Sequence, residues 1–296
     1  MLRLTCFLLA CSMLTAARAS AAIEVGNKVV LIRSVELKTD GGSKLRLSPG
    51  SVLDVRSVAD QSLTVGAPRV GRVDAADVIP LADAQQFFSD RIAKDRANAE
   101  AWTARGKLWF HQLKQDQAIG DFDESLRLRP DRETMTLRAF AWKRKGDKQQ
   151  AMALLDEAIK LEPNNALAWR VRGATYASLA EYPRTLAHYT ESIRLDPDNP
   201  ESLLHRAILQ SGCQDATIRD GKQAVIDATR ACELTGWDQP LFLNCLSFAY
   251  SEAGDFDQAI RWQERVIALS PNQQNRSAQD RIAQFRQKQP FRTSWR

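Results

Sequence analysis

Apolar residues recur at intervals of three and four positions along most of the chain between residues 99 and 272. This spacing places them on one face of an α-helix, so the stretch predicts a series of amphipathic helices. Prolines punctuate the pattern, and a helix has to end at or before each one. They lie about 34 residues apart, with one interval of roughly twice that length, at Pro130, Pro163, Pro197 and Pro271. The chain therefore contains an internal repeat.

Small residues occupy two fixed positions in each repeat. The frame Ala-Trp-x-x-Arg-Gly begins at Ala101 and returns intact at Ala168. The first small position is filled by Gly106, Ala139, Gly173, Ala207 and Ser247, and the second by Ala118, Ala151, Thr185, Ala224 and Ala259. Polar or glycine-containing breaks separate the two positions, which predicts two antiparallel helices per repeat. Their small positions are expected to face each other, because backbones approach closely only where side chains lack bulk.

These residues resemble the tetratricopeptide repeat (TPR) over the stretch that begins Asn98-Ala99-Glu100-Ala101-Trp102 and over residues 254–271. The resemblance implies a mainly α fold, a TPR α-solenoid of about five helix-turn-helix units within residues 99–272. The units are placed at 99–131, 132–164, 166–199, 200–236 and 240–272. A capping helix is expected at residues 83–98, with Ala84 and Phe88 inward, and a C-terminal capping helix and tail at 273–296.

Residues 20–82 differ in kind, because they are rich in valine, alternate in polarity and contain turn sequences such as Asp40-Gly41-Gly42-Ser43. Five short strands are predicted, and the segment resembles bacterial SH3-like domains, which implies a small β-barrel. Residues 23–81 contain no Phe, Trp or Tyr. Docking of proline-rich ligands uses aromatic grooves, so that mode is excluded here.

The N-terminus reads as a secretory signal peptide over residues 1–19, with Arg3 before a short apolar run and small residues at Ala17 and Ala19. The chain is therefore expected to be exported, to the periplasm or outside a bacterial cell. A lipid anchor on Cys11 is an alternative, since Leu-Leu-Ala-Cys resembles a lipobox. The run is too short to span a bilayer, and no transmembrane segment is predicted.

Composition and charge narrow the function classes. The net charge of +5 is mild and indicates no nucleic-acid partner. His111, His188 and His205 stand singly without metal-ligand spacing, and no catalytic or phosphate-binding motif is present. The sequence thus predicts no enzyme activity, no catalytic residue, no metal and no cofactor. Three thiols are expected to be buried, and a bridge between Cys232 and Cys245 is left open.

Family positions predict a partner-binding groove along the first helix of each repeat. The candidate residues are Lys107, Phe110, Phe140, Lys143, Arg170, Asn244 and Phe248. Cations and aromatics at one end and apolar residues at the other would suit an extended peptide with an acidic segment. A second column of cations precedes the first small position at Arg105, Arg138, Arg172 and Arg206. These arginines are expected to pack and pair with acids, although a cationic ladder for an acidic ligand is the alternative.

Three functions remain open on this basis. The first is an exported scaffold that binds a partner polypeptide in the TPR groove. The second is an accessory subunit of an envelope or cell-wall complex whose barrel contacts a wall polymer. The third is an enzyme with an unrecognised site, which would show a shaped polar pocket with clustered ionisable groups.

Overall fold

The computed structural model describes residues 23–39, 44–59, 61–66, 70–269 and 275–293. The signal peptide predicted over residues 1–19, including Cys11, lies outside these ranges. The described chain forms two compact parts, one ending at Lys145 and the other beginning at Gly146. The fold is mainly α, with twelve helices after a small β-sheet, as the repeat pattern predicts.

Seven strands make up the sheet. Listed in chain order, they are β1 (Lys28–Leu31), β2 (Val35–Thr39), β3 (Lys44–Leu47), β4 (Val52–Ala59), β5 (Ser62–Gly66), β6 (Gly71–Asp74) and β7 (Val78–Pro80). All described pairings are antiparallel, in the spatial order β3-β2-β6-β5-β4-β1-β7. The prediction of a five-stranded SH3-like barrel is therefore wrong, because the described strands form one sheet that does not close.

Apolar side chains are buried on both faces of the sheet. One face buries a core that includes Leu31, Leu53 and Val65. The opposite face buries Val30 against Phe88, which lies in a helix directly after β7. Strands covered on both faces read as continuous apolar runs, and this is why β1 contains three consecutive buried residues.

Four helices complete the first part: α1 (Leu81–Lys94), α2 (Ala99–His111), α3 (Gln115–Leu128) and α4 (Arg132–Lys145). Each packs against the next along the pairs α1–α2, α2–α3 and α3–α4. Ala84 and Phe88 of α1 are fully buried, as expected of a capping helix. Asn98 caps α2 by accepting a hydrogen bond from the amide of Ala101, which satisfies one free backbone donor at the helix start.

Eight helices form the second part. They are α5 (Lys148–Leu161), α6 (Ala166–Ala177), α7 (Tyr182–Leu195), α8 (Pro200–Gly212), α9 (Gly221–Thr235), α10 (Pro240–Glu252), α11 (Phe256–Leu269) and α12 (Asn275–Arg286). Each packs against its successor, and α8 also contacts α10. The loop between α8 and α9 is longer than the other described loops between helices and contains a 3₁₀ turn at Ala216–Ile218. Ile282 and Phe285 of α12 are buried, as expected of the C-terminal cap.

In two repeats the first small position is a glycine that receives an aromatic ring from the facing helix. A Cβ on Gly106 would lie 2.6 Å from Cε1 of Phe122, and one on Gly173 would lie 2.8 Å from Cδ1 of Tyr189. Both rings are almost fully buried. The sequence analysis expected the two small positions of a repeat to face each other. At Gly106 and Gly173 the structure instead places an aromatic ring of the facing helix over the glycine. Close helix packing in these repeats therefore depends on a ring seated on a bare backbone.

Candidate partner-binding surfaces

Lys107 lies on α2 with its ammonium engaged by its own chain. Its Nζ is 2.6 Å from Oε1 of Glu133 and 2.6 Å from Oγ of Ser48, and its side chain is 12% exposed. Ser48 belongs to the turn after β3, where Gly50 adopts a left-handed backbone with φ of 81°. A Cβ on Gly50 would lie 2.6 Å from the backbone of Ala104, so only glycine allows this approach. The β3–β4 turn therefore covers the predicted groove position at Lys107.

Phe110, Phe140, Lys143 and Arg144 form the aromatic–basic surface at the C-terminal ends of α2 and α4. The Phe110 and Phe140 rings lie 4.9 Å apart between centroids and are half-buried. Cζ of Arg144 lies 4.8 Å from the Phe110 centroid, and Nζ of Lys143 lies 5.8 Å from the Phe140 centroid. Cations over ring faces in this way are attracted by the ring quadrupole. Three of the four residues were predicted, and the structure brings them together.

Arg144 extends the surface beyond the sequence prediction. Arg144 is exposed, and among the described residues no carboxylate lies within ion-pair distance of its guanidinium. The neighbouring Lys145 differs, because its Nζ is 2.7 Å from Oδ1 of Asp116. The run Lys143-Arg144-Lys145 carries the sequence signal, but only the structure distinguishes the exposed Arg144 from the paired Lys145.

Arg170 lies on α6, in the second part of the chain, and is half-buried. Its Nε is buried and has no hydrogen-bond partner within the described ranges. Its charge acts on Tyr189, where burial raises the pKa of the phenol and Arg170 opposes that rise. The role of Arg170 in binding stays a prediction.

Asn244 and Phe248 lie on α10 and are covered by residues that follow in the chain. Oδ1 of Asn244 accepts hydrogen bonds from Gln263 at 2.9 Å and Arg281 at 3.2 Å. The Phe248 ring is 7% exposed and stacks on Phe291, with centroids 3.8 Å apart and planes 10° apart. The predicted groove position at Phe248 is therefore filled by the chain itself, a contact that sequence reasoning missed.

The arginine column pairs with acids, as expected: those of Arg105 and Arg206 lie on the following helix, and those of Arg138 and Arg172 lie on the preceding helix. Arg105 binds Asp121 through two hydrogen bonds of 2.8 and 2.7 Å, and Arg206 binds Asp227 through two of 2.7 and 2.9 Å. The remaining pairs are Arg138 with Asp123 at 3.2 Å and Arg172 with Asp156 at 2.6 Å. The hydrogen bonding of Arg105 to Asp121, which accepts, raises the pKa of Arg105, against the lowering effect of burial. These arginines hold helices together through their acidic partners. Their charges are therefore already paired, which disfavours the alternative of a cationic ladder that binds an acidic ligand.

The titratable groups of the described chain form packed contacts. His188 lies between Trp169 and Tyr176, with ring centroids 5.2 and 5.0 Å away. Cys213, Cys232 and Cys245 are free and buried, which excludes the bridge between Cys232 and Cys245 in this structure. Within the described ranges, histidine, cysteine and acidic side chains do not gather in groups of three suited to a metal ion.

Comparison with known proteins agrees with the helix pairs. The family model described as "Tetratricopeptide repeat" matches residues 133–165 and 245–273. No curated protein matches this chain. The fold and the family model together define a protein that carries tetratricopeptide repeats, a class that generally serves in protein–protein interaction, and they indicate no enzyme family.

Solved structures share the fold at low sequence identity. The Cut9–Hcn1 structure of the APC/C aligns over 69% of this chain with a TM-score of 0.62 and 14% sequence identity. Yeast Tom70 aligns over 69% of this chain with a TM-score of 0.56 and 18% identity. The type IV pilus biogenesis factor PilW aligns over 68% of this chain with a TM-score of 0.55 and 17% identity. This chain spans 39% of the Cut9–Hcn1 chain, 43% of Tom70 and 90% of PilW. None of the helices in the described ranges combines the length and apolarity that crossing a bilayer requires.

Proposed function

We propose that this protein is an exported, non-enzymatic scaffold whose aromatic–basic surface binds an acidic segment of a partner polypeptide. The observation that carries the proposal is Arg144, an exposed guanidinium over the Phe110 ring that has no carboxylate partner in the described chain. A partner carboxylate would pair with this group in a charge-assisted hydrogen bond. The Phe110 and Phe140 rings beside it offer apolar area for a neighbouring side chain.

The position of this surface supports the same function. It lies at the ends of α2 and α4, which are the first helices of two successive repeats, and TPR proteins use first helices for binding. Lys107, Asn244 and Phe248 are left out of the proposed surface because their side chains already contact their own chain. Aromatic and arginine side chains are the residue types that dominate binding energy at protein interfaces.

Charge reversal tests the surface. The double variant Lys143→Glu and Arg144→Glu should weaken binding of a fluorescent peptide of alternating Glu and Leu residues by at least about tenfold, since hydrogen bonds to charged groups contribute about 1.5–3 kcal/mol each. Fluorescence anisotropy on the full chain measures the affinity. Lys94→Glu is the matched control, because Lys94 is an exposed cation on α1. Equal weakening in the control, or no weakening in the double variant, refutes the proposal.

Export is tested at the N-terminus. We expect the mature chain in the producing cell to begin at Ser20, which intact-mass measurement reads directly. A chain that begins at Cys11 and carries acyl groups would establish the lipid-anchored alternative. An unprocessed chain that stays in the cytoplasm would contradict both.

We propose that residues 23–82 close the end of the repeat array rather than bind a wall polymer. One face of the sheet forms its own core, and Val30, Val52 and Ile79 of the other face pack in the cluster that contains Phe88 and Ala104. Little apolar face is then left for a ligand. A polymer pull-down with the full chain that fails when β4–β5 hairpin residues are substituted would contradict this role.

A further inference from the structure

The segment Pro290–Thr293 follows the last helix and lies on α8 and α10 in an extended, peptide-like manner. The amide of Phe291 donates to Oγ of Ser251 at 3.2 Å, and the amide of Thr293 donates to the carbonyl of Gly212 at 2.9 Å. Donation by alternate residues is the pattern of an extended strand. Main-chain hydrogen bonds of this kind give affinity, while the side chains between them give specificity.

An aromatic position is defined by Phe248 and Gly212. Phe291 stacks on Phe248 with centroids 3.8 Å apart, and Arg281 lies over the same Phe248 ring at 5.1 Å. A Cβ on Gly212 would lie 3.1 Å from the Phe291 ring and 3.2 Å from Thr293. The bare backbone of Gly212 is therefore what lets a ring and the residue after it approach α8.

A basic position is defined by Glu252. Its Oε2 is 2.6 Å from Nη1 of Arg292, while its Oε1 is 2.9 Å from Nε of Arg219. The Glu252 side chain is 14% exposed. Arg219 belongs to the long loop between α8 and α9, so this carboxylate is oriented by one arginine and receives a second from the segment. Arginine is favoured over lysine here because it presents several donors in a fixed geometry.

The turn into the segment is held in a costly conformation. Lys288 adopts a left-handed backbone with φ of 56°, directly after α12. A residue other than glycine in this region costs on the order of 1–3 kcal/mol and persists when its surroundings hold it there. The contacts of Phe291, Arg292 and Thr293 are what the turn makes possible.

We propose that Gly212, Phe248, Ser251 and Glu252 form a peptide slot for an aromatic residue followed by arginine, and that Pro290–Thr293 is its built-in ligand. A partner segment with the same chemistry binds only when this ligand leaves. The slot is acidic, whereas the aromatic–basic surface of the first part is cationic, so the two select partners of opposite charge. The inference does not depend on the proposed function of the first part.

Tethering sets the size of the effect. A ligand on a short linker acts at an effective concentration on the order of 1 mM, so a slot with a Kd of about 0.1 mM would be about 90% self-occupied. A peptide added in trans would then bind about tenfold more weakly to the intact chain than to a chain whose slot is vacant.

The test uses a fluorescein-labelled peptide of residues 287–293, Gln-Lys-Gln-Pro-Phe-Arg-Thr, and the full chain. The double variant Phe291→Ala and Arg292→Ala should bind the peptide about tenfold more tightly than the unmodified chain. Gln289→Ala, an exposed change in the same segment, should behave as the unmodified chain. Adding Gly212→Val to the double variant should abolish binding, because its side chain fills the ring position.

Two results would overturn the slot. One is equal peptide affinity for the double variant and the unmodified chain, and the other is binding that survives Gly212→Val. A second measurement does not depend on any variant folding. In the unmodified chain, a saturating amount of peptide should accelerate hydrogen exchange at the Thr293 amide, and an unchanged exchange rate there would refute displacement.

Discussion

Substituting alanine for Gly106 tests the ring-over-glycine contact on which repeat packing depends. Alanine is favoured over glycine in a helix by about 1 kcal/mol, so propensity alone predicts stabilisation. The new Cβ, however, would lie 2.6 Å from Cε1 and 2.8 Å from Cδ1 of the fully buried Phe122 ring. Forcing an extra methyl group into a packed core costs about 1–3 kcal/mol. We therefore expect Gly106→Ala to be neutral or destabilising.

Gly120 provides the matched control on α3 of the same repeat. It is helical and exposed, and a Cβ there would meet nothing within 4 Å. Gly120→Ala should gain the full propensity term, about 1 kcal/mol. Propensity cancels between the two variants, so the difference in their unfolding free energies measures the overpacking cost, about 1–3 kcal/mol. At roughly 3 °C per kcal/mol, their melting temperatures should differ by about 3–9 °C.

Thermal melts followed by circular dichroism measure this difference. Phe122→Leu in the Gly106→Ala background adds an independent check, because removing the ring removes the clash. The two changes together should cost at least about 0.5 kcal/mol less than the sum of the single changes, as expected for residues in contact. If Gly106→Ala melts at the same temperature as Gly120→Ala, or if the double variant is additive, the ring does not sit on the glycine.

Three further outcomes follow from buried polar groups. Asp227→Ala should lower the free energy of unfolding by about 3–5 kcal/mol, because it leaves the largely buried Arg206 without its ion-pair partner. Glu191→Ala breaks an exposed ion pair and should lower it by less than about 1 kcal/mol. A denaturant titration measures both. Burial lowers the pKa of His188 below 6.5. The stability that the neutral imidazole contributes is therefore present above pH 6.5 and is lost as the pH falls through the pKa of the folded state. An NMR titration of His188 and thermal melts at two pH values would show this loss. Burial raises the pKa of Cys245 well above 9.0 and that of Cys232 to about 12. Both thiols should therefore resist a thiol reagent at pH 8 until the chain is unfolded. The free energy of unfolding should fall as the pH rises above 9.0, because the thiols ionise more readily in the unfolded chain.

Local periodicity was enough to predict the helices and their partners. Gly106 and Gly173 stand at a fixed offset from Trp102 and Trp169, and that offset alone places them on the packed face. The sequence predicted that the arginines of this column pair with acids but not which helix supplies each acid, since Arg206 pairs with the following helix and Arg172 with the preceding one. Contacts between successive repeats recur, so one sequence contains several copies of the same information.

Contacts between distant segments could not be read in the same way. Ser48 reaches Lys107 from a turn 59 residues away, and no periodicity links them. The barrel prediction was wrong for a related reason, since the order in which strands pair depends on contacts between distant segments that a valine-rich, alternating pattern does not specify. Phe291 lies in a polar tail without any repeat pattern, so its contact with Phe248 could not be predicted from the sequence.

One predicted groove position in each part of the chain is covered by a segment that flanks the repeats, and this changes how binding has to be measured. The β3–β4 turn covers Lys107 in the first part, and Pro290–Thr293 covers Phe248 in the second. A fragment limited to residues 99–272 would lack both segments. Lys107 would lose its contact with Ser48 but keep its ion pair with Glu133, whereas the Phe248 ring would lose the cover of Phe291. Such a fragment would bind aromatic peptides more tightly than the complete protein does, because exposed aromatic side chains drive association. Partner affinities therefore have to be measured on the full chain. The ratio of the fragment's affinity to that of the full chain would measure how strongly the flanking segments compete with a partner.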